Sequence, residues 1–558
     1  MSMEWMPPLM FGGLIVFLLI GYPVAFSLAA VGLFFGFISI ELGFFGISFL
    51  QALPQRIFGI LSNDLLLAIP FFTFMGAILE KCGLAEDLLD GLGQLFGPLR
   101  GGLGYSVIVV GAILGAITGT VAASVIAMGL ISLPVMMRYG YNMRYATGVI
   151  AASGTITQLI PPSLVLVVLA DQLGRSVGDM YAGAWGPSVV QVLLFCMYTA
   201  AVSIFKPEWV PALPLSARTL SGWPLIRKCL WGIVPSLVLI FLVLGTLFLG
   251  LATPTEGGAM GAVGAIVLAV LHSKQMSRFA KRAAQLGLTV LLIMMVPGIV
   301  TWVPDVFPVA LHAPARAVFR MIERPGFVVF YACLVVLMWE AVRIADLRSL
   351  MRQAYQSTMR LTAMVIFILI GSTVFSLVFQ GVNGGLWLEH MLTSVPGGAV
   401  GFLIFVNLFV FFLAFFLDFF EIAFIIVPLL APTAQKVLEG WVGPEAALIW
   451  FGVLLCVNMQ TSFMHPPFGF ALFYLRGIAP KEIKSSDIYW GAIPWVLLQL
   501  IMVGLVIAFP QMVTAFLDKQ PVIDPSKVEI RLEGDSSPGA GADDAEKAQR
   551  DLEQMLKK

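Results

Sequence analysis

Long apolar stretches follow one another along almost the whole chain, separated by short polar joints. They run over about 9–40, 57–79, 103–137, 145–170, 186–204, 230–251, 257–271, 285–312, 326–344, 361–380, 391–435, 446–475 and 490–516. A helix needs about 20 apolar residues to cross about 30 Å of hydrocarbon, so most of these segments predict ordinary membrane-spanning helices. Three do not fit that description. The run from Leu103 to Met137 holds no charged residue, and as one straight helix at about 1.5 Å per residue it would reach about 50 Å. That is too long for one crossing and too short for two. Its interior carries Gly115, Thr118, Gly119 and Thr120, small and polar residues that weaken a helix and predict a re-entrant hairpin. Irregular backbone at that depth is tolerated only where protein covers it or where it lines a watery site. Met391 to Gln435 has the same character, with Asp418 and Glu421 as its charged side chains and Pro428 and Pro432 beyond them.

The third anomaly is "YATGVIAASGTITQLIPPSLVLVVLA", Tyr145 to Ala170, in which Pro161 and Pro162 interrupt a good span. Proline removes an amide donor and clashes with the preceding turn, so the helix must break and free its carbonyls. Near the other end, "VNMQTSFMHPPFGFALF" places Pro466 and Pro467 in the matching position, 305 residues later. That offset sets Ser153 on Asn458, Thr155 on Gln460, Ile156 on Thr461 and Thr157 on Ser462. Each broken span follows a hairpin candidate, so the chain reads as two copies of one unit. The fold class expected is an all-α polytopic membrane protein with two inverted repeats, each built of a re-entrant hairpin and a helix broken at Pro-Pro.

The expected organisation is scaffold helices over 1–100, the first hairpin and broken helix over 101–185, and connecting scaffold helices over 186–271. Inserted membrane helices follow over 272–345, flanked by basic runs of cytoplasmic type (Lys274, Arg278, Lys281, Arg282, then Arg343, Arg348, Arg352, Arg360). A scaffold helix and link occupy 346–390, the second hairpin and broken helix 391–480, a last membrane helix 481–517, and a polar, disordered tail 518–558. Met1–Pro8 carries a lone Glu4 and no basic region, so the N-terminus is expected to be retained as a membrane segment.

Composition narrows the function. Of 558 residues, 59% are hydrophobic and 11% charged, with no net charge, against roughly 25% charged in a soluble domain. Lipid is therefore the solvent, and nothing draws the chain to nucleic acid. The five cysteines (Cys82, Cys196, Cys229, Cys333, Cys456) stand singly, without the paired spacing of a zinc or disulfide framework, and read as small hydrophobes. No P-loop, nucleophile elbow or zinc-protease motif is present, so the chain is not read as an enzyme, and an ion gradient is the expected energy source.

Paired broken helices point to a midplane binding site, because freed carbonyls and helix ends supply oxygen ligands without a buried formal charge. Oxygens of that kind suit a hard cation such as Na⁺. The first ion site is expected from Thr118, Gly119 and Thr120 with Ser153, Thr155, Thr157 and the backbone near Ile160 and Pro162. A second is expected from Asp418 with Asn458, Thr461, Ser462 and His465. The competing reading is that Pro-Pro merely kinks each helix and the hydroxyls bond within their own turns. Asp418 and Glu421, spaced i, i+3, are candidates for ion or proton coupling, since intramembrane carboxylates face a cavity or a partner. In "TPTEGG", Thr253, Pro254 and Glu256 read as a capping box, and Asn63-Asp64 as a helix start. His465 reads either as a titrating group or as a hydrogen-bond donor.

At these segments the sequence resembles the large membrane (M, or DctM-like) subunits of tripartite ATP-independent periplasmic (TRAP) transporters. The resemblance covers about 5–272 and 345–516 and is carried by "LLAIPFFTFMGAILEKCGLAEDLL", "AASGTITQLIPPS", "TPTEGGAMGAVGA" and "FGVLLCVNMQTSFMHPPFGFALFYLRG". It implies an elevator-type transporter of the bacterial inner membrane that couples organic-acid uptake to Na⁺. It also implies two partners, a small four-helix membrane subunit as a separate chain and a soluble periplasmic binding protein. Ser124, Gln158 and Gln460 are then the expected substrate-facing groups. Ser124 stands where the family commonly has aspartate in the first hairpin, while Asp418 keeps the second; Ala414 and His465 replace a common glycine and threonine. The insert and "NMQTSF" look like the long branch labelled for mannitol or chloroaromatic compounds, and a 2-oxo acid or aromatic acid is the substrate expected. The alternative is a stand-alone ion-driven anion transporter or exporter.

Overall fold

Hydrocarbon offers no partner to an exposed amide, and helices satisfy their amides within the segment. In the computed structural model, which describes residues 3–118, 121–214, 220, 222–302, 309–415, 417–465 and 469–517, the described residues accordingly form helices and no strand. The polar tail from 518, the insert's residues 303–308, Gly119, Thr120, Pro466 and Pro467 lie outside the described residues.

The first half of the chain holds α1 (Met6–Ile20), α2 (Val24–Glu41), α3 (Leu53–Leu61), α4 (Ala68–Lys81) and α5 (Leu84–Phe96). Next come the arms α6 (Gly102–Thr118) and α7 (Val121–Arg138), then α8 (Met143–Thr155), α9 (Leu164–Leu173) and α10 (Val177–Phe205). Connecting helices α11 (Trp223–Phe248) and α12 (Pro254–His272) lead to the insert, α13 (Arg278–Trp302) and α14 (Val309–Arg343), which pack on each other. The second half repeats the plan with α15 (Ala345–Gly381), α16 (Gly384–Thr393), α17 (Gly398–Leu413), α18 (Phe419–Glu421) and α19 (Val427–Val442). It ends with α20 (Pro444–Met459), α21 (Phe470–Ile478), α22 (Ser485–Ala508) and α23 (Gln511–Thr514). Nine helices among the described residues are long and apolar enough to cross a membrane, or eleven if the bent pairs Ile47–Leu61 with Asp64–Lys81 (47°) and Gly384–Thr393 with Gly398–Leu413 (118°) each count as one.

Caps read from sequence recur in the structure. Thr253 and Glu256 form the reciprocal box that starts α12, with Glu256 N–H donating to Thr253 Oγ1 at 3.3 Å and Thr253 N–H to Glu256 Oε2 at 2.8 Å. Asn63 Oδ1 accepts from Leu65 N–H at 3.0 Å at the short turn before α4, and its Nδ2 donates to Asp171 Oδ1 at 2.7 Å at the end of α9.

Burial separates the helices into two kinds. In the most apolar 18-residue stretch of Pro444–Met464, 94% of residues are buried, against 28% in that of Val177–Phe205 and 39% in that of Trp223–Phe248. Phe26, Phe34, Trp231, Phe241 and Trp490 are exposed on the outer faces of such helices. The central α20 is sheathed by protein on every side. Elsewhere α2 lies along α15, α4 along α12, and α8 along α22. The last of these pairs is a backbone-to-backbone approach: a Cβ on Gly148 of α8 would stand 2.2 Å from the Gly491 carbonyl oxygen of α22.

Gly148→Val is expected to lower stability by about 1–3 kcal/mol or more through overpacking, read as a fall in melting temperature in detergent. Gly12→Val is the matched control, because a Cβ at Gly12 meets nothing within 4 Å, and its melting temperature should not fall.

Candidate functional site

Asn142 caps α8 by accepting from Arg144 and Tyr145 N–H, and the helix then runs fully buried from Tyr145 to Thr155. A single 3₁₀ turn over Ile156–Gln158 follows before the regular pattern is lost. Leu159 and Ile160 N–H both fold back onto the Ile156 carbonyl, at 2.9 and 3.2 Å. The Pro161–Pro162 bond is cis, and Ser163 restarts the chain as N-cap of α9 by accepting from Val165 N–H at 3.2 Å. The carbonyl of Gln158, freed by the break, is taken up by Ser163 Oγ and by Cys456 Sγ at 3.3 Å. That of Leu159 is taken up by Ser188 Oγ of α10 at 3.0 Å. Pro162 faces an apolar crevice between Met75, Leu79, Ala116 and Leu239.

The second break copies the first. α20 passes into a 3₁₀ stretch over Gln460–Met464 and resumes as α21 after the second proline pair. Thr461 Oγ1 donates to the Asn458 carbonyl at 2.8 Å and Ser462 Oγ to the Met459 carbonyl at 2.7 Å. These two hydroxyls bond within their own turn, the alternative reading open in the sequence. Thr155 does the same, donating to the Ala152 carbonyl at 2.8 Å.

Other groups at the breaks have no such outlet. Ser153 Oγ, Thr157 Oγ1 and Gln158 Oε1 at the first break are buried without a hydrogen-bond partner, as are Asn458 Oδ1 and both amide atoms of Gln460 at the second. A buried polar atom left in this way costs about 1–3 kcal/mol. Eight of the fourteen unpartnered buried side-chain atoms among the described residues lie at or next to the two breaks, His465 included. His465 follows neither sequence reading simply: its ring stacks on Phe415 (centroids 4.2 Å apart, 9° between planes) and stands edge-on to Phe411 (4.5 Å, 81°). Its ring nitrogens make no hydrogen bond, although the Ala414 backbone stands close by.

The two breaks meet. Beside the Cys456 thiol on the Gln158 carbonyl, Met464 Sδ lies 4.0 Å from Thr155 Oγ1 and 3.8 Å from Gln499 Nε2. α8 packs against α21 and the second 3₁₀ stretch, and α9 packs against α20. The two broken helices therefore lie antiparallel, the first half of each beside the second half of the other.

Each hairpin is fixed to its break differently. In the first, Gly111 and Gly115 of α6 press on the broken helix, where a Cβ would stand 2.7 Å from Ser153 Cβ and 2.8 Å from Thr157 Cα. Ser124 is buried on α7, beside Val125, which abuts Gly154. Thr118 ends α6; Gly119 and Thr120 lie outside the described residues. In the second hairpin Asn407 of α17 receives Asn458 Nδ2 on its carbonyl (2.7 Å) and on Oδ1 (3.1 Å). Asp418 is the N-cap of α18, accepting from Glu421 N–H at 2.9 Å while Glu421 Oε2 accepts from Asp418 N–H at 2.9 Å. Among the described residues no hydrogen bond joins Asp418 to Asn458, Thr461 or Ser462. A π turn over Ile422–Ile426 follows, its Phe424 carbonyl held by Ser372 Oγ of α15 at 2.7 Å. Asn407, Gln499 and the Cys456 thiol bond to groups at the breaks, contacts the sequence pattern did not single out. Each is a lone polar residue in an apolar run, a signal that was available.

Paired broken helices that meet inside a protein-wrapped core, on an all-α multi-pass frame, define a membrane transporter. The family model for the DctM component of tripartite ATP-independent periplasmic transporters matches residues 11–306 and 298–512. The chain belongs to that family. Curated relatives include a C4-dicarboxylate TRAP transporter large permease protein DctM of Vibrio cholerae, 25% identical over 484 residues (86% of this chain, 90% of the relative). A sialic acid TRAP transporter large permease protein SiaM of the same species is 24% identical over 494 residues (88% and 93%). Among solved structures, the YdaH transporter of Alcanivorax borkumensis aligns at a TM-score of 0.41 and 16% identity, covering 83% of this chain and 88% of that one. The chain is thus a multi-pass transport protein rather than an enzyme, of a family that implies a small membrane subunit, a periplasmic binding protein and the inner membrane.

Asn407→Leu and Asn458→Leu should each destabilise by about 1–3 kcal/mol. Removing both should cost less than the sum by about 0.5–3 kcal/mol, because both changes remove the same side-chain bond, Asn458 Nδ2 to Asn407 Oδ1. Thermal denaturation of the four proteins in detergent measures this, and strict additivity would show that the pair is not a unit.

Proposed function

We propose that this chain is the translocating subunit of a Na⁺-coupled, binding-protein-dependent secondary importer of an organic carboxylate. The observation that carries the reading is the set of buried, unpartnered polar atoms at two helix breaks that touch each other. Neutral hydroxyl, amide and carbonyl oxygens are hard ligands and replace the water shell of a small cation without requiring a buried formal charge. Gln158 and Gln460 offer amide hydrogens as well as oxygens, which suits a carboxylate lying beside the cation. The relatives' named substrates, C4-dicarboxylate and sialic acid, are acids of this class, and a 2-oxo or aromatic acid is the cargo proposed here. The partners proposed are a four-helix membrane subunit on a separate chain and a soluble periplasmic protein that delivers the acid.

An elevator motion fits this plan. The hairpins, broken helices and their antiparallel pairing form one body through glycine-to-backbone and amide contacts, and a body so joined moves as a unit past flanking helices. The second ion site is proposed around Asn458 and the Asp418 turn, with Asp418 placing negative charge near the hairpin tip.

Reconstitution into proteoliposomes with the small subunit and the acid-loaded binding protein tests the reading. Uptake should require both partners and fall at least tenfold when choline replaces Na⁺. Uptake that ignores both partners and persists without Na⁺ would instead identify a stand-alone anion transporter. Asp418→Asn separates charge from capping, because asparagine caps as well as aspartate. The variant should keep its melting temperature and lose about tenfold in Na⁺-driven uptake; wild-type uptake would leave Asp418 a cap alone.

A further inference from the structure

The basic runs that flank the insert have no part in the two breaks, and the fold brings part of them to one cleft. α15 begins with Asp346, Ser349, Leu350 and Gln353 on one face, spaced i, i+3, i+4 and i+7. That face floors a cleft of about 650 Å³ whose walls are the end of α4 and the joint after α12. Hydrogen bonds hold both walls to the floor. Lys81 Nζ donates to Gln353 Oε1 at 3.0 Å, and Gln275 Nε2, just beyond α12, donates to Asp346 Oδ2 at 2.9 Å. Lys81 and Lys274 both line the cleft, and among the described residues neither forms a salt bridge. Asp346 is the carboxylate among the lining residues and is engaged by Gln275, while His272 is turned to Asp87 at 3.4 Å. Glu80 precedes Lys81 in the chain and does not line the cleft. Two ammonium groups thus face one opening against one occupied carboxylate.

The apolar runs of α4 and α12 end at Leu79 and Leu271, just short of Lys81 and His272, which sets the cleft at the level of the lipid headgroups. The joints at the far ends of α12 and α15, 249–253 and 382–397, hold no lysine or arginine, whereas the near ends hold Lys274, Arg278, Arg343, Arg348 and Arg352. The cleft therefore opens to the cytoplasmic leaflet. We propose that it is a headgroup site for an anionic phospholipid, whose phosphate oxygens accept hydrogen bonds from Lys81 and Lys274. Basic pockets between membrane helices on the cytoplasmic side suit such headgroups. A free phosphate offers the same oxygens but no acyl chains, and the surroundings favour the lipid: α12, which ends at the cleft, leaves Met260, Val263 and Leu271 exposed, an apolar track below the headgroup. A lipid seated there ties α4 and α12 of the first half to α15 of the second. The site stands apart from the cation reading above.

The test needs no transport substrate. The purified full-length chain in dodecyl maltoside is titrated with dioleoylphosphatidylglycerol or with dioleoylphosphatidylcholine, and the lipid concentration giving half of the rise in melting temperature is measured. Phosphatidylglycerol should raise the melting temperature and phosphatidylcholine should not. At about fivefold per lysine, the double variant Lys81→Gln, Lys274→Gln should raise the half-effect concentration at least tenfold. The charge-matched double variant Arg348→Gln, Arg352→Gln, in the same turns of α15 but outside the cleft lining, should raise it less than threefold. Equal shifts in the two double variants would mean diffuse surface attraction and overturn the site. Glycerol phosphate, the headgroup without its chains, separates the two sources: it should not protect at the same concentrations, and protection equal to the lipid's would overturn the lipid in favour of a soluble phosphate. A wild-type chain indifferent to phosphatidylglycerol overturns the proposal outright. Should the lysine double variant fail to fold, Lys274→Gln alone, at an exposed position, decides: a rise of at least threefold supports the site and an unchanged value overturns it.

Discussion

A helix broken inside hydrocarbon exposes carbonyls and amides that water cannot reach, and each must find a partner in protein or in cargo. This chain breaks two helices and then arranges much of the rest around the consequence. Ser188 from α10 and Cys456 from α20 reach carbonyls that the first break frees, and Ser372 from α15 reaches one at the π turn within the second hairpin. The body of the span Pro444–Met464 is buried in protein, because its irregular end tolerates no lipid. Peripheral helices need no such care, and they turn phenylalanine and tryptophan outward.

The hydroxyls at the breaks divide into two groups, and the division is informative. Thr155, Thr461 and Ser462 close onto carbonyls of their own turn, which is what serine and threonine do in any apolar helix. Ser153, Thr157, Gln158 and Gln460 do not. Gly111 and Gly115 explain part of the difference for the first break, because α6 approaches so closely that Ser153 and Thr157 are pinned against it. A hairpin with side chains at those two positions would be pushed off the broken helix. The small residues are thus needed at the contact with the break, and not only at the tip where the sequence pattern drew attention.

Much of this was legible in the sequence, and what was not has a physical cause. The apolar runs announced the spans, the proline pairs announced both breaks, and the Thr253–Glu256 capping box lay in local spacing, whereas the matching box at Asp418–Glu421 was read only as a coupling pair. Local signals of this kind depend on neighbours a few residues away. Which polar atom is spent and which is left over depends on partners hundreds of residues distant, as with Gln499 and Thr155 (344 apart) or Cys456 and Gln158 (298 apart). The sequence names Gln499 as a lone amide in an apolar run, but its use is set by how α22 lies along α8. That crossing follows from Gly148 meeting Gly491, two unremarkable residues until the helices are packed.

Asp418 and Glu421 show how one pair of residues carries both readings. As a reciprocal cap they satisfy each other's backbone amide and start α18, and a carboxylate beside a helix N-terminus is favoured by the unpaired amides there. Yet a threonine or serine in place of Asp418 would also cap, without bringing a charge into a segment of phenylalanine and isoleucine. Thr253 does so ahead of Glu256 at the start of α12. Among the described residues neither carboxylate forms a salt bridge. Two carboxylates within one turn repel each other, and the repulsion is relieved when a positive charge or a proton comes between them. Capping alone explains the hydrogen bonds but not the choice of two acids. The cation coupling proposed for the second break would account for both.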